Sequence, residues 1–200
     1  MHQCFRLLLA LAIGITLTAC QTYTATRYAV SSDNVQTLRT LRQKYPSGSI
    51  NVASFSAKDG PLREIACRGA GPVAPPDQKT FEQYVQAALV DDLKMAEVYS
   101  DKSRVALSAS IQSIDFSSTS GTWTLAALVS TGKQSPFAVS HTANYSSSFM
   151  GDNACMLTAQ AFMPAVQDFL KKLIASPEFE KAFSDSSTTS PPTAEPIPGS

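Results

Sequence analysis

Apolar positions in this chain change period several times, and each change marks an element. Residues 33–45 carry Val35, Leu38 and Leu41 at helical spacing behind Asp33, a candidate cap, and stop at Tyr45-Pro46. Proline ends such a run because it has no amide hydrogen to donate. From Ser49 to Ala57 the period falls to two, with Ile50 and Val52 on one face and Ala53, Phe55 and Ala57 on the other. Apolar residues on both faces predict an interior strand. Asp59-Gly60-Pro61 breaks the run, residues 65–68 read as a short extended return, and the Pro- and Gly-rich residues 69–77 read as a loop.

The helical period returns between Thr80 and Tyr99. Phe81, Tyr84, Val85, Ala88, Leu89, Leu93 and Ala96 form a stripe, and Glu82, Gln86, Asp91 and Lys94 lie mostly away from it. Thr80 and Gln83 have capping-box spacing. Three alternating runs follow. Val105, Leu107, Ala109 and Ile111 share one phase, while Ile114 and Phe116 continue in the other, a slip that predicts a β-bulge near Gln112-Ser113. Trp123, Leu125, Ala127 and Val129 make the second run, and Phe137, Val139, His141, Ala143 and Tyr145 the third. Turn residues at 119–121 and 131–133 join them into an antiparallel meander.

Asp152 or Asn153 begins a last long helix with Cys155, Ala159, Phe162, Val166, Phe169, Leu170 and Leu173 on one face, and Pro164 is expected to kink it. Residues 177–183 add one further turn, and the Ser/Thr/Pro-rich residues 184–200 read as a disordered tail. The fold class is α/β, as an α+β sandwich: a mixed sheet of about four to five strands with two main helices on one face. The order is strand, helix, three-strand meander, helix, in one domain over residues 33–183.

Ahead of that domain, the apolar run Leu7–Leu17 follows a single positive charge at Arg6. It is shorter than the about 20 residues a membrane span requires and has signal-peptide length. Leu17-Thr18-Ala19-Cys20 resembles the lipobox of bacterial lipoproteins. That resemblance implies cleavage after residue 19, lipidation of Cys20, and a polar tether over residues 21–32. An ordinary secretory leader or a short anchor is the alternative. Gln21, rather than Asp, after the cysteine implies the outer membrane, with the domain facing the periplasm. The whole chain resembles small outer-membrane lipoproteins of Gram-negative bacteria. Its element order over residues 49–175 is similar to auxiliary lipoproteins of ABC-type lipid transport systems and to the N-terminal domain of TolB.

Composition narrows the partners. Apolar residues make up 44% and charged residues 16%, which suits a folded domain. The formal net charge is +0, so no basic excess is present for nucleic acid. With Cys4 in the leader and Cys20 lipidated, Cys67 and Cys155 remain. An oxidising compartment predicts one disulfide between them, two separate buried thiols being the alternative. His141 is the only histidine outside the leader, too few for a familiar Cys/His metal set.

Catalytic motifs are weak. Residues 69–74 spell G-x-G-x-x-A, but Pro75-Pro76 follow where a dinucleotide motif needs a helix to begin. His141 reads as a hydrogen-bonded sheet residue. Asp91 and Asp92 point about 100° apart on a helix and read as a solvated face. Trp123 reads as core. No G-x-S-x-G elbow is present, and the sequon at Asn144 matters only in a eukaryotic secretory pathway. The expectation is a non-enzymatic protein without cofactor or metal, anchored to the membrane through Cys20 and serving as an accessory module of an envelope complex such as a transport system. The alternative is a periplasmic carrier of lipid or another small amphiphile.

Overall fold

The computed structural model describes residues 21–132 and 134–187. The leader, Cys20 and residues 188–200 of the expected tail lie outside the described residues. Over these described residues the architecture is α+β, with a four-stranded and a three-stranded sheet and four helices.

Helix α1 (Ser32–Lys44) is capped by the Ser31 hydroxyl, which accepts the Asn34 amide, while Asp33 sits in the first turn. Strand β2 (Asn51–Ala57) runs parallel to β5 (Ala106–Ser117). Strands β6 (Thr122–Ser130) and β7 (Phe137–Asn144) complete the expected antiparallel meander, giving the order β2-β5-β6-β7. β2 is therefore an edge strand and not an interior one. A register shift between Val52 and Phe55 explains the misleading pattern, because it turns both of them inward and leaves Ala53 exposed. The Gln86 side chain holds this irregularity, accepting from the Phe55 amide at 3.4 Å and donating to the Ala53 carbonyl at 2.9 Å. The bulge expected in β5 lies between Ile111 and Ser113.

Helix α2 (Phe81–Met95) carries the complete Thr80–Gln83 capping box. Helix α3 (Gly151–Ile174) runs continuously through Pro164 and starts at Met150 without a side-chain cap. Helix α4 (Pro177–Ser187) is longer than one turn, because Phe179, Ala182 and Phe183 bury an apolar face. It takes in residues 184–187 of the expected tail, and the Ser186 hydroxyl accepts the Ser49 amide at 2.9 Å.

The core lies between the four-stranded sheet and helices α2 and α3. Trp123 sits within 6.0 Å of Phe81 and 4.8 Å of Phe162, centroid to centroid, and Phe81 meets Phe162 edge-on at 4.9 Å. The indole donates to the Thr158 carbonyl at 2.9 Å. The opposite sheet face carries no helix. Ser108, Ser110, Thr124, Ala126, Leu128, Ala138, Ser140 and Thr142 alternate with the buried positions there, and Asp115, opposite Thr124, puts a charge on the same face.

A second, smaller sheet stands at one end. Strand β4 (Gly71–Ala74) pairs with β3 (Ile65–Cys67) antiparallel and with β1 (Tyr23–Thr24) parallel. Two expectations fail here. Residues 69–77 contain a strand, and residues 21–32 are not a free tether but part of the domain. Short runs with few apolar residues hide such strands, because each needs only one inward side chain, Tyr23 on β1 and Val73 on β4.

Candidate functional site at the N-terminal end

The segment that leads away from Cys20 is fixed to the domain residue by residue. Tyr23 is 6% exposed and opposite Val73 in β4, and the Ala25 amide donates to the Ala74 carbonyl at 2.8 Å. The chain crosses directly over Gly71, whose φ is +144°. A Cβ there would stand 1.9 Å from the Gln21 carbonyl oxygen, so only glycine fits. The Tyr23 hydroxyl donates to Asp152 Oδ1 at 3.1 Å, and the Tyr84 hydroxyl donates to the Thr26 carbonyl at 2.8 Å.

Beyond Thr26 the segment closes on a buried carboxylate. Asp92 has no exposed surface and accepts from the Tyr28 hydroxyl at 2.9 Å, Asn34 Nδ2 at 2.9 Å and the Ser31 amide at 3.1 Å. Burial pushes its carboxyl above the ordinary aspartate value, although the Asn34, Tyr28 and Ser31 hydrogen bonds pull the other way. Burial and then the Asp92 charge push the Tyr28 phenol well above its ordinary value. Asp92 is thus no part of a solvated face. Neighbours 100° apart on a helix can fall on opposite sides of the boundary, and Asp92 follows Val85 and Leu89 along the buried stripe while Asp91 stays exposed.

The predicted disulfide is present. Cys67 on β3 and Cys155 on α3 are bonded, with Cα atoms 5.9 Å apart, and both are buried. It staples the small sheet to the longest helix. Next to it, Arg68 adopts a left-handed backbone (φ 48°). Its guanidinium donates to the Ser118 hydroxyl at 3.0 Å, to the Ser118 carbonyl at 2.7 Å, and to the Ser148 and Phe149 carbonyls at 3.3 Å each. One side chain therefore gathers the β3–β4 turn, the β5–β6 turn and the β7–α3 loop. The depression they enclose is open and lined by Arg68, Thr119, Ser147, Ser148 and Phe149.

The other sequence candidates are scattered. Gly69 and Gly71 belong to a β-hairpin, with no helix starting inside the motif. His141 is not hydrogen-bonded as expected: its buried Nε2 has no hydrogen-bond partner and lies 3.8 Å from Asp168 Oδ2. Trp123 is fully buried, as its in-register apolar neighbours predict. Against the expectation that the chain has no S-x-x-K motif, Ser130 and Lys133 have that spacing. Ser130 closes β6, its hydroxyl accepts the Gly132 amide at 3.3 Å, and Lys133 is outside the described residues. Tyr28 and Asn34 were missed from sequence, and Asp92 was placed in solvent. The one available signal was Asp92 itself, an acid within an apolar helical stripe.

No family model matches this chain, and no curated protein does. Among solved structures it is similar to the crystal structure of a Xanthomonas campestris protein of the family DUF330, at 13% identity and a TM-score of 0.47. That likeness covers 77% of this chain and 95% of the other.

Proposed function

We propose that this chain is a non-enzymatic, lipid-anchored accessory module of a bacterial envelope complex such as a transport system. In this reading Cys20 carries the lipid, and the domain faces the periplasm from the outer membrane. The observation that carries it is Leu17-Thr18-Ala19-Cys20 standing directly ahead of a domain whose first strand begins at Tyr23. The disulfide between Cys67 and Cys155 supports an oxidising compartment. The bare sheet face offers room for a partner that would have to satisfy its Ser and Thr hydroxyls and Asp115, with Leu128, exposed at 42%, as an apolar contact.

A carrier of lipid or amphiphile in a pocket between sheet and helices is the weaker reading, because Trp123, Phe81, Phe162 and Phe169 fill that space. Mass spectrometry of the protein from bacterial envelopes tests the anchor: the expected result is acyl-modified Cys20 and no peptide from residues 1–19. Photo-crosslinking from Leu128 and Thr142 tests the module, with one defined envelope protein expected. Recovery of only bulk lipid and abundant porins removes the accessory role, and an unmodified Cys20 removes the anchor.

A further inference from the structure

We propose that Phe149 and Met150 form a bilayer-contact knuckle, which enters the membrane interface beside the Cys20 acyl chains and fixes how the domain stands on the leaflet. The proposal rests on the reading of Cys20 as lipidated. It begins with reach. β1 is bound in register to β4, and Gln21 lies across Gly71, so the slack between lipid and domain is no more than residues 20–22, on the order of 10 Å when fully extended. A lipid there holds the β3–β4 turn close to the surface.

The knuckle is at that same end. Arg68, in the β3–β4 turn, donates to the Ser148 and Phe149 carbonyls, and Tyr23, two residues after Gln21, donates to Asp152, two residues after Met150. Phe149 is 97% exposed and Met150 69%, and Met156, one turn into α3, is 45% exposed. Among the described residues only Met95 and Leu128 are further large apolar side chains with comparable exposure, and they lie away from this end, on the last turn of α2 and on β6. The most exposed apolar surface of the domain is thus next to the attachment point. Its backbone is held from behind by Arg68 and by the Ser148 hydroxyl, which accepts the Met150 amide at 3.2 Å. The rim suits the headgroup layer: Ser148 and Thr119 offer hydroxyls, and Arg68, whose donors are engaged by Ser118, Ser148 and Phe149, adds positive charge beside them. The acyl chains of Cys20 already hold the domain to the leaflet, and an adjoining apolar contact adds orientation rather than affinity.

The test uses the full chain, made in a host that processes lipoproteins and reconstituted into vesicles of phosphatidylethanolamine and phosphatidylglycerol. Phe149→Cys and, as a control, Met95→Cys each carry a nitroxide, with acylation of Cys20 checked by mass spectrometry on the same sample. The expected result is loss of accessibility to a water-soluble nickel chelate at 149, a gain in collisions with oxygen, and no change at 95. Equal chelate accessibility at both positions with Cys20 acylated overturns the knuckle and leaves the anchor standing. An unmodified Cys20 overturns both. Spin–spin broadening at 149 that fades on dilution overturns the knuckle in favour of a second copy of the chain.

Discussion

Behind the main sheet, Trp123, Phe81 and Phe162 pack ring against ring, and among the described residues one indole hydrogen bond is the only polar link of the Trp123 side chain. At the N-terminal end, a segment with few apolar side chains is held by tyrosine hydroxyls, a buried carboxylate and a disulfide. Apolar burial scales with area and tolerates small shifts, so the ring layer is built from repeated side chains on long elements. The clasp has no such area. Each of its polar groups must meet a partner or remain desolvated, which makes it specific in geometry and sensitive to single atoms.

Removing the largest ring gives the largest effect. Trp123→Ala leaves a cavity and removes the indole bond to the Thr158 carbonyl, and should cost about 3–5 kcal/mol in urea denaturation. A loss below 1 kcal/mol would mean that the ring layer collapses around the gap. The staple comes next. Cys67→Ala combined with Cys155→Ala releases a crosslink across a sequence separation of 88 residues, and should cost about 2–5 kcal/mol. Hydrogen exchange should then speed up in β1, β3 and β4 before β5 and β6. Uniform acceleration across both sheets would show that the two regions unfold as one.

The ring layer, rather than the clasp, was legible from sequence. Phe81, Trp123 and Phe162 sit on elements long enough for their period to show, and Thr80–Gln83 and the β5 bulge left local signatures. β1 and β4 did not, because a strand of two to four residues has no measurable period. The edge position of β2 was hidden because its bulge mimics a strand with two apolar faces. Asp92 was misassigned for a different reason. Charge alone suggests solvent, and its partners Tyr28 and Asn34 lie 64 and 58 residues away, beyond any local pattern. The tether expected over residues 21–32 failed for the same reason as β4: it includes the two-residue strand β1.

Asp92→Ala tests the clasp at its centre. It leaves the Tyr28 hydroxyl, Asn34 Nδ2 and the Ser31 amide without their acceptor, and should cost about 1–3 kcal/mol. The cost should depend on pH with a definite sign. Burial holds the folded carboxyl above its ordinary 3.8, so between 3.8 and the raised value the folded state binds a proton that the unfolded state has released. The contribution of Asp92 is therefore fully present below 3.8 and falls as pH rises through the folded value. The stability difference between wild type and Asp92→Ala, followed by urea denaturation over that range, should shrink with rising pH. A difference that grows with rising pH would mean that the hydrogen bonds outweigh burial and hold the carboxyl low.

The smallest effect should come from Arg27→Ala, one residue from Tyr28. Arg27 meets Asp77 through two nitrogens, the shorter contact being 2.7 Å, a tighter geometry than any bond to Asp92. Its side chain is 79% exposed, however, and that of Asp77 is 42% exposed. Water solvates both charges when the pair is broken, and salt screens it when formed. The pairing does hold the Asp77 carboxyl below its ordinary value, yet the midpoint of unfolding should not move measurably. If Arg27→Ala matched Asp92→Ala in cost, contact geometry and not burial would rank the polar contacts of the clasp. If it is silent, burial separates two carboxylates that hold the same segment, just as the ring layer is separated from the clasp by apolar area.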